Sequence, residues 1–399
     1  MAPDDAGLHI NRDEPPLKKR RRELARAAVE HSRRGTTAEA PTVMKEDVSF
    51  YTDPELFARE HQKLFRETPL VVCLSSELAE PGSYRTFDDV GVPIVVMRGK
   101  DGKLRGFLNI CPHRGSRLVR AECGKASRFT CRFHAWTFDT EGKAIAIPDE
   151  KQFCGDIDEM KHLLPVPCEE RHGLVFVQAK AGATMDLDAH LGRFGRELAI
   201  LELENAVPAM TGAVSTTGNW KYTLDTFFET YHLNALHGDT FKGLFSQLCV
   251  FDTFGPHHIY TFTPFKIHDW KNMPEAEWPV DSLPLQYFLF PNVVMSVGSV
   301  TKTGLTVTLH RIFPNGVGGM TNQIKFCAFG GVRSPEHQKD MEASFEKIMI
   351  AGRDEDFSVT SESWAGFASL PPGTQLPIGQ LEIGVQNFHK NMHQIMDAK

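Results

Sequence analysis

The stretch from Cys111 to His134 constrains this chain more than any other. It reads Cys111-Pro112-His113-Arg114-Gly115 and resumes, with seventeen residues between His113 and Cys131, as Cys131-Arg132-Phe133-His134. Each arm carries one thiol and one imidazole close together, so both arms can reach one small inorganic centre. A structural Cys₂His₂ zinc site is the first alternative. Such sites usually place both cysteines ahead of both histidines, whereas here each arm holds a Cys–His pair. Four residues scattered without a shared purpose would not show this paired spacing.

The inventory is that of a Rieske [2Fe–2S] cluster, with two thiolates on one iron and two histidines on the other. Neutral His in place of Cys leaves the cluster less negative and raises its reduction potential. The run C-P-H-R-G followed by C-R-F-H-A-W-T-F resembles the Rieske domain of the ring-hydroxylating, non-heme-iron oxygenases. That resemblance implies that Cys111, His113, Cys131 and His134 bind the cluster, and that Trp136 packs near it.

The rest of the chain fits a globular protein. Its 399 residues give room for one large domain or two to three ordinary ones, and 41% hydrophobic with 24% charged residues is ordinary globular composition. A net charge of −7 gives no reason to expect nucleic acid. Cys73, Cys123, Cys154, Cys168, Cys249 and Cys327 are widely spread and no signal peptide is evident, so free thiols in a cytoplasmic protein are expected. No apolar run approaches the roughly 18 residues of a membrane span.

Residues 1–42 read as a flexible or partly helical arm. Within it, Lys18-Lys19-Arg20-Arg21-Arg22 resembles a nuclear signal or phosphate patch, but a solvated basic face is the favoured reading. Asp53-Pro54 supplies a helix N-cap and first residue, and residues 43–65 are expected to pack on the catalytic domain. From about 66 to 180 the period becomes strand-like, through Val71–Leu74, Val92–Met97, Leu104–Leu108, Phe133–Phe138, Ala144–Ile147 and Leu174–Gln178. Lys100-Asp101-Gly102-Lys103 forms a hairpin turn. A small antiparallel β domain with the ligands on two tight loops follows, with Arg114 and Gly115 shaping the first.

Residues 181–399 raise the question of where electrons go. Asn219 to His232 reads as a helix with a broad apolar face, ending at His232 and His237. Five residues on a regular helix rotate about 140° beyond a full turn, so these rings converge on one ion only where the helix breaks. With a carboxylate they would make the 2-His-1-carboxylate site of non-heme Fe(II) oxygenases. N-W-K and D-T-F-F-E-T-Y-H-L-N-A-L-H resemble the iron-binding helix of the Rieske oxygenase α subunit. The resemblance implies Asp356 as third ligand, in an E-D-x-x-x-x-E-like setting whose closing acid, Glu362, stands one place late; Asp354 is the fallback. It also implies that Glu229, one turn before His232, links the two metal centres across a subunit boundary through His134. The usual residue there is Asp, and Glu is shared with the branch acting on carnitine-like quaternary amines.

Strands are expected at Tyr260–Thr263, Gln286–Phe290, Val293–Val297, Leu305–Phe313 and Ile324–Phe329, with a final helix at Ile383–Met396. The expected fold is α+β: a Rieske domain at 66–180, then a larger catalytic domain at 181–399 with an antiparallel sheet flanked by helices. The expected function is a terminal oxygenase holding a [2Fe–2S] cluster and mononuclear Fe(II), using O₂ as co-substrate. No G-x-G-x-x-G follows a strand, so NAD(P)H would serve only through a separate reductase, with or without a ferredoxin. A homotrimer is implied, and a β subunit is left open. An aromatic or cyclic substrate is the first expectation, and Phe227, Phe228, Phe241, Phe245, Phe288 and Phe290 are candidates for lining its pocket or filling the core. A quaternary or methylated amine is the alternative substrate, and an electron carrier without catalysis the alternative class.

Overall fold

The computed structural model describes residues 14–398 apart from 156, 239, 242 and 299–303; the first thirteen residues of the expected arm lie outside the described residues. The architecture is α+β. Ile94–Arg98 lies at the centre of a five-stranded sheet, between Leu104–Leu108 and Ser83–Phe87, with Pro165–Val166 and Cys123–Lys125 at its edges. Leu70–Leu74, Leu174–Val177 and Cys168–Arg171 form a second sheet, and Arg128–Thr130, Thr137–Asp139 and Ala144–Ala146 a third. The hairpin at Asp101-Gly102 is present, with Arg98 opposite Leu104 and Gly102 at φ +77°.

The strand expected over Phe133–Phe138 is cut to Thr137–Asp139. Ala135 sits at φ +57° and its N–H donates to the Cys131 carbonyl at 2.9 Å. That local turn takes the backbone groups a strand ladder would have used.

The catalytic part is built on a seven-stranded antiparallel sheet in the order Ala206–Thr217, Gly319–Phe329, Thr306–Pro314, Val293–Gly298, Leu285–Leu289, His257–Thr261, Phe251–Phe254. Both faces are covered. Leu285, Tyr287 and Leu289 point into one core with Phe194 and Leu198, while Phe288 and Phe290 point into another with Trp220, Phe228 and Phe388. This is why the central strands read as nearly continuous apolar runs. The long edge strand Ala206–Thr217 escaped the sequence reading because its Ala, Gly, Ser and Thr give little apolar signal; its partner Gly319–Phe329 defines it.

The N-terminal helix, Pro16–Arg34, is docked and not solvated. Leu24, Ala25, Ala28 and Val29 are buried in the same core as Ile267 and Trp270. Its basic run is tied down by Arg20 to Glu197 (3.0 Å) and Asp252 (2.6 Å), and Arg26 pairs with Glu275 (2.7 Å). Helix Pro54–Phe65 starts as read, with Asp53 accepting from the Glu55 N–H at 2.8 Å. Phe65 meets Trp220 edge-on at 5.1 Å, and Trp220 in turn meets Phe388 of the closing helix Ile383–Asp397.

The continuous helix expected over Asn219–His232 is interrupted. A helix capped by the Asn219 side chain runs over Trp220–Asp225, and one further turn covers Leu233–Leu236. Between them Phe228 drops into the core against Phe288, and the Gln286 side chain donates to the Phe227 carbonyl. A sheet side chain thereby occupies a helix acceptor, and the N–H groups of Phe227 and Phe228 close tighter bonds, to Leu224 and Asp225.

Candidate active site

The two Cys–His loops are equivalent turn for turn. In the first, the Cys111 N–H donates to Ser116 O (2.7 Å) and the Cys111 carbonyl accepts from the Gly115 N–H (2.9 Å). In the second, the Cys131 N–H donates to Trp136 O (2.8 Å) and the Cys131 carbonyl accepts from the Ala135 N–H (2.9 Å). Gly115 and Ala135, four residues after their cysteines, share the left-handed backbone at φ +68° and +57°. Arg114 is exposed, so of the two residues expected to shape this loop, Gly115 makes the closing bond.

The loops bring their four side chains together. Cys111 and Cys131 are buried, and the rings of His113 and His134 lie 4.5 Å apart. Trp136 stacks flat on His113 at 4.9 Å and 3°. Burial pushes the Cys111 thiol up to about 11. Cys131 is also opposed by burial, yet the N–H groups of Phe133 and His134 hold it below the ordinary thiol range. Buried His113 Nδ1 has no protein partner. Two sulfurs facing backbone donors and an orphaned imidazole nitrogen fit a Cys₂His₂ iron–sulfur cluster, which needs ionised thiolates and free ring nitrogens.

The second constellation combines three residues from two chain segments. His232 and His237 flank the single turn Leu233–Leu236, and Asp356 ends the distant segment Ala351–Asp356. One ligand atom from each lies within 4.8 Å of the others. Asp356 Oδ1 is 3.2 Å from His237 Nε2 and 3.6 Å from His232 Nε2, and it makes no hydrogen bond of good geometry with either. The outer ring edges are held by carboxylates. His232 Nδ1 meets Glu229 Oε1, with the His232 N–H on Glu229 Oε2 at 3.1 Å. His237 Nδ1 meets Glu355 Oε2 at 2.6 Å. Burial would depress His237, but Asp356 and Glu355 raise it above the ordinary range, so the site favours positive charge. Three convergent ligand atoms in a negative field fit a divalent metal.

Asp354, the fallback, points elsewhere: it is 48% exposed and pairs with Arg353 at 2.6 Å. Glu355 was not singled out by sequence, because neighbouring acids on a helix read as an exposed face. The signal was its place beside the ligand candidate; the geometry came from a π-helical turn, Ala351–Asp356, between helices Pro335–Ile350 and Phe357–Phe367.

Of the six phenylalanines, Phe228, Phe288 and Phe290 are core filling. Phe241 and Phe245 instead begin an aromatic row at the metal candidate. Ring centroids step from His237 to Phe241 (5.2 Å), Phe245 (5.8 Å), Phe262 (6.1 Å) and Tyr260 (5.4 Å). A cavity of about 380 Å³ opens beside His237, lined by Leu233 to Gly238 and Gly243.

A family model described as the Rieske [2Fe-2S] domain matches residues 68–167, and one described as the ring hydroxylating alpha subunit (catalytic domain) matches 203–398. The chain joins a Rieske domain to a ring-hydroxylating α-subunit catalytic domain. It is 35% identical over 192 residues to the carnitine monooxygenase oxygenase subunit of Acinetobacter pittii, covering 47% of this chain and 51% of that one. It is 32% identical over 196 residues to the glycine betaine monooxygenase oxygenase subunit of Chromohalobacter salexigens, covering 49% and 43%. The chain thus spans about half the length of these curated relatives. In fold it resembles the crystal structure of a quaternary ammonium Rieske monooxygenase, with a TM-score of 0.77 at 24% identity over 90% of this chain and 97% of that one. No described helix is long and apolar enough to cross a membrane.

Proposed function

We propose that this chain is the terminal oxygenase of a multicomponent system, acting on a quaternary or methylated amine. This reverses the order of the two substrate classes expected from sequence. The observation that carries it is the part-exposed rings of Phe241, Phe245 and Phe262 in the row beginning at His237, since aromatic faces attract an organic cation that has no N–H to donate. Glu229, in place of Asp, and the carnitine and glycine betaine relatives support the same class.

In this reading Cys111, Cys131, His113 and His134 hold the cluster, and His232, His237 and Asp356 hold the mononuclear ion. When bound, these iron groups supply electron storage and the reductive activation of O₂. The chain's own residues do the rest. The aromatic row orients the cation with a carbon beside its nitrogen toward the open side of the triad. Glu229, buried beside the exposed Tyr231, holds the His232 ring by its Nδ1 edge on the side from which an electron enters. The net change inserts one oxygen atom into a C–H bond; the other leaves as water, consuming two electrons and two protons. Electrons come from a separate reductase, with or without a ferredoxin, that draws on NAD(P)H.

Glu229 connects to His134 of the partner subunit in a head-to-tail trimer. Two surface aromatics support that contact: Phe133, 3.8 Å from the His134 ring, is 57% exposed, and Tyr231, beside His232, is 63% exposed. No observation supports a separate β subunit, and none is proposed. Cytoplasmic location is the matching expectation for an iron–sulfur protein whose eight cysteines form no disulfide.

The test is substrate-dependent O₂ uptake by the chemically reduced holoprotein, with product masses, over carnitine, glycine betaine, biphenyl and naphthalene. Turnover of an amine with one oxygen added, or with C–N cleavage, supports the proposal. A cis-diol from a ring compound, without amine turnover, replaces it with the aromatic class. An electron carrier would keep all its iron and redox behaviour in H232A.

A further inference from the structure

Two consecutive residues grip one imidazole from opposite edges. Glu355 Oε2 lies 2.6 Å from His237 Nδ1, while Asp356 Oδ1 lies 3.2 Å from Nε2 of the same ring. Neighbours on a regular α-helix project about 100° apart. The π-helical turn Ala351–Asp356 brings both carboxylates to His237, and such insertions are frequent at functional sites. Glu355 is itself held: its other oxygen, Oε1, accepts from the Thr240 hydroxyl at 2.6 Å. Thr240 belongs to the segment that leads from His237 to Phe241, so one carboxylate ties the π-helical turn to both the ring and the aromatic row.

The geometry points to Glu355 as a positioning residue for the mononuclear iron site, acting through His237 together with Thr240. It rests on the proposed reading of His232, His237 and Asp356 as ligands, and adds a residue outside that triad. By accepting a hydrogen bond from Nδ1–H, Glu355 fixes the tautomer that leaves Nε2 free for the metal, and it stops the ring from turning about its side-chain bonds. Glu229 does the corresponding work for His232, so each ring is braced by its own carboxylate. The difference is where the brace is anchored. Glu229 lies three residues from its histidine, whereas Glu355 must be carried in from 118 residues away by the π-helical turn.

The experiment uses holoprotein with its cluster intact, selectively depleted of mononuclear iron and titrated anaerobically with Fe(II). The readouts are Fe(II) affinity and the EPR spectrum of the nitric oxide adduct; the cluster EPR signal checks the fold. In E355A the affinity is expected to fall about 10–100-fold, with an altered adduct spectrum. E355Q, which can still accept from Nδ1, should recover most of the loss. T240V, which removes only the anchor of the carboxylate, should fall between wild type and E355A. Wild-type affinity and spectrum in both E355A and T240V would overturn the inference. Wild-type protein that binds no Fe(II) at this site would instead defeat the ligand reading on which it rests.

Discussion

His389 bridges Asp225 and Glu46: its Nε2 lies 3.2 Å from Asp225 Oδ2 and its Nδ1 2.9 Å from Glu46 Oε2. All three side chains are buried, and Tyr51 donates to Asp225 at 2.7 Å. The bridge fastens the closing helix to the segment before Pro54 and to the helix that leads to Glu229 and His232. Burial would push His389 down, but the two carboxylates outweigh it and raise it to about 9. Burial likewise opposes Glu46, yet His389 and His393 bring it down to about 2.

The pH dependence follows from these directions. A raised His stabilises fully below its unfolded value of about 6.5, and that contribution is lost as pH climbs through about 9. A depressed Glu stabilises above its ordinary value of 4.5, and that contribution is lost as pH falls through about 2. The network should therefore be strongest between pH 4.5 and roughly 6.5. In H389Q the melting temperature should drop at pH 6, by an amount equivalent to about 3–5 kcal/mol, with a smaller gap from wild type at pH 10. An equal gap at both pH values would show that the ring acts by packing alone.

Glu60 and Lys221 form a fully buried pair, with Trp220 Nε1 also donating to Glu60 at 3.3 Å. Burial pushes Lys221 down and Glu60 up, so desolvation outweighs their attraction. K221M alone should cost about 3–5 kcal/mol by leaving a buried carboxylate unpaired. The double variant E60L/K221M should recover most of that loss in chemical denaturation. Failure to recover would mean the pair is a net stabiliser.

The two cluster loops differ at their left-handed position, Gly115 against Ala135. A Cβ added at Gly115 meets nothing within 4 Å, so only the backbone conformation opposes it. G115A should destabilise the cluster domain by about 1 kcal/mol, and A135G should stabilise it by a similar amount. Thermal melts followed at the cluster's visible absorbance check both. Matching losses in both variants would mean that backbone strain does not dominate at these positions.

Removing the mononuclear ion should separate the two metal centres. H232A should hold about two irons per chain where wild type holds about three, with an unchanged cluster EPR signal. E229Q should keep all of its iron but slow substrate-dependent reoxidation of the reduced cluster by at least about tenfold. Loss of cluster iron in H232A, or unchanged reoxidation in E229Q, would contradict the assigned roles.

Short-range spacing made the cluster loops legible, because each Cys–His pair lies within four residues and one turn can present both. The strands at Leu285–Leu289, Val293–Gly298 and Thr306–Pro314 were legible because double-sided burial writes long apolar runs. His232, His237 and Asp356 were named from the motifs they resemble, and the structure brings those three together. What sequence could not supply depended on distant partners. Gln286 interrupts the expected helix from the strand it packs on, core burial separates Phe228 from Phe241, and Glu197, Asp252 and Glu275 turn a basic run that looked solvated into a docked helix. Glu355 reaches His237 only because the helix widens by a π-turn. Local spacing determined which chemistry this chain carries; packing between distant segments decided which side chains face it, because a residue's direction is set by the partners that bury it.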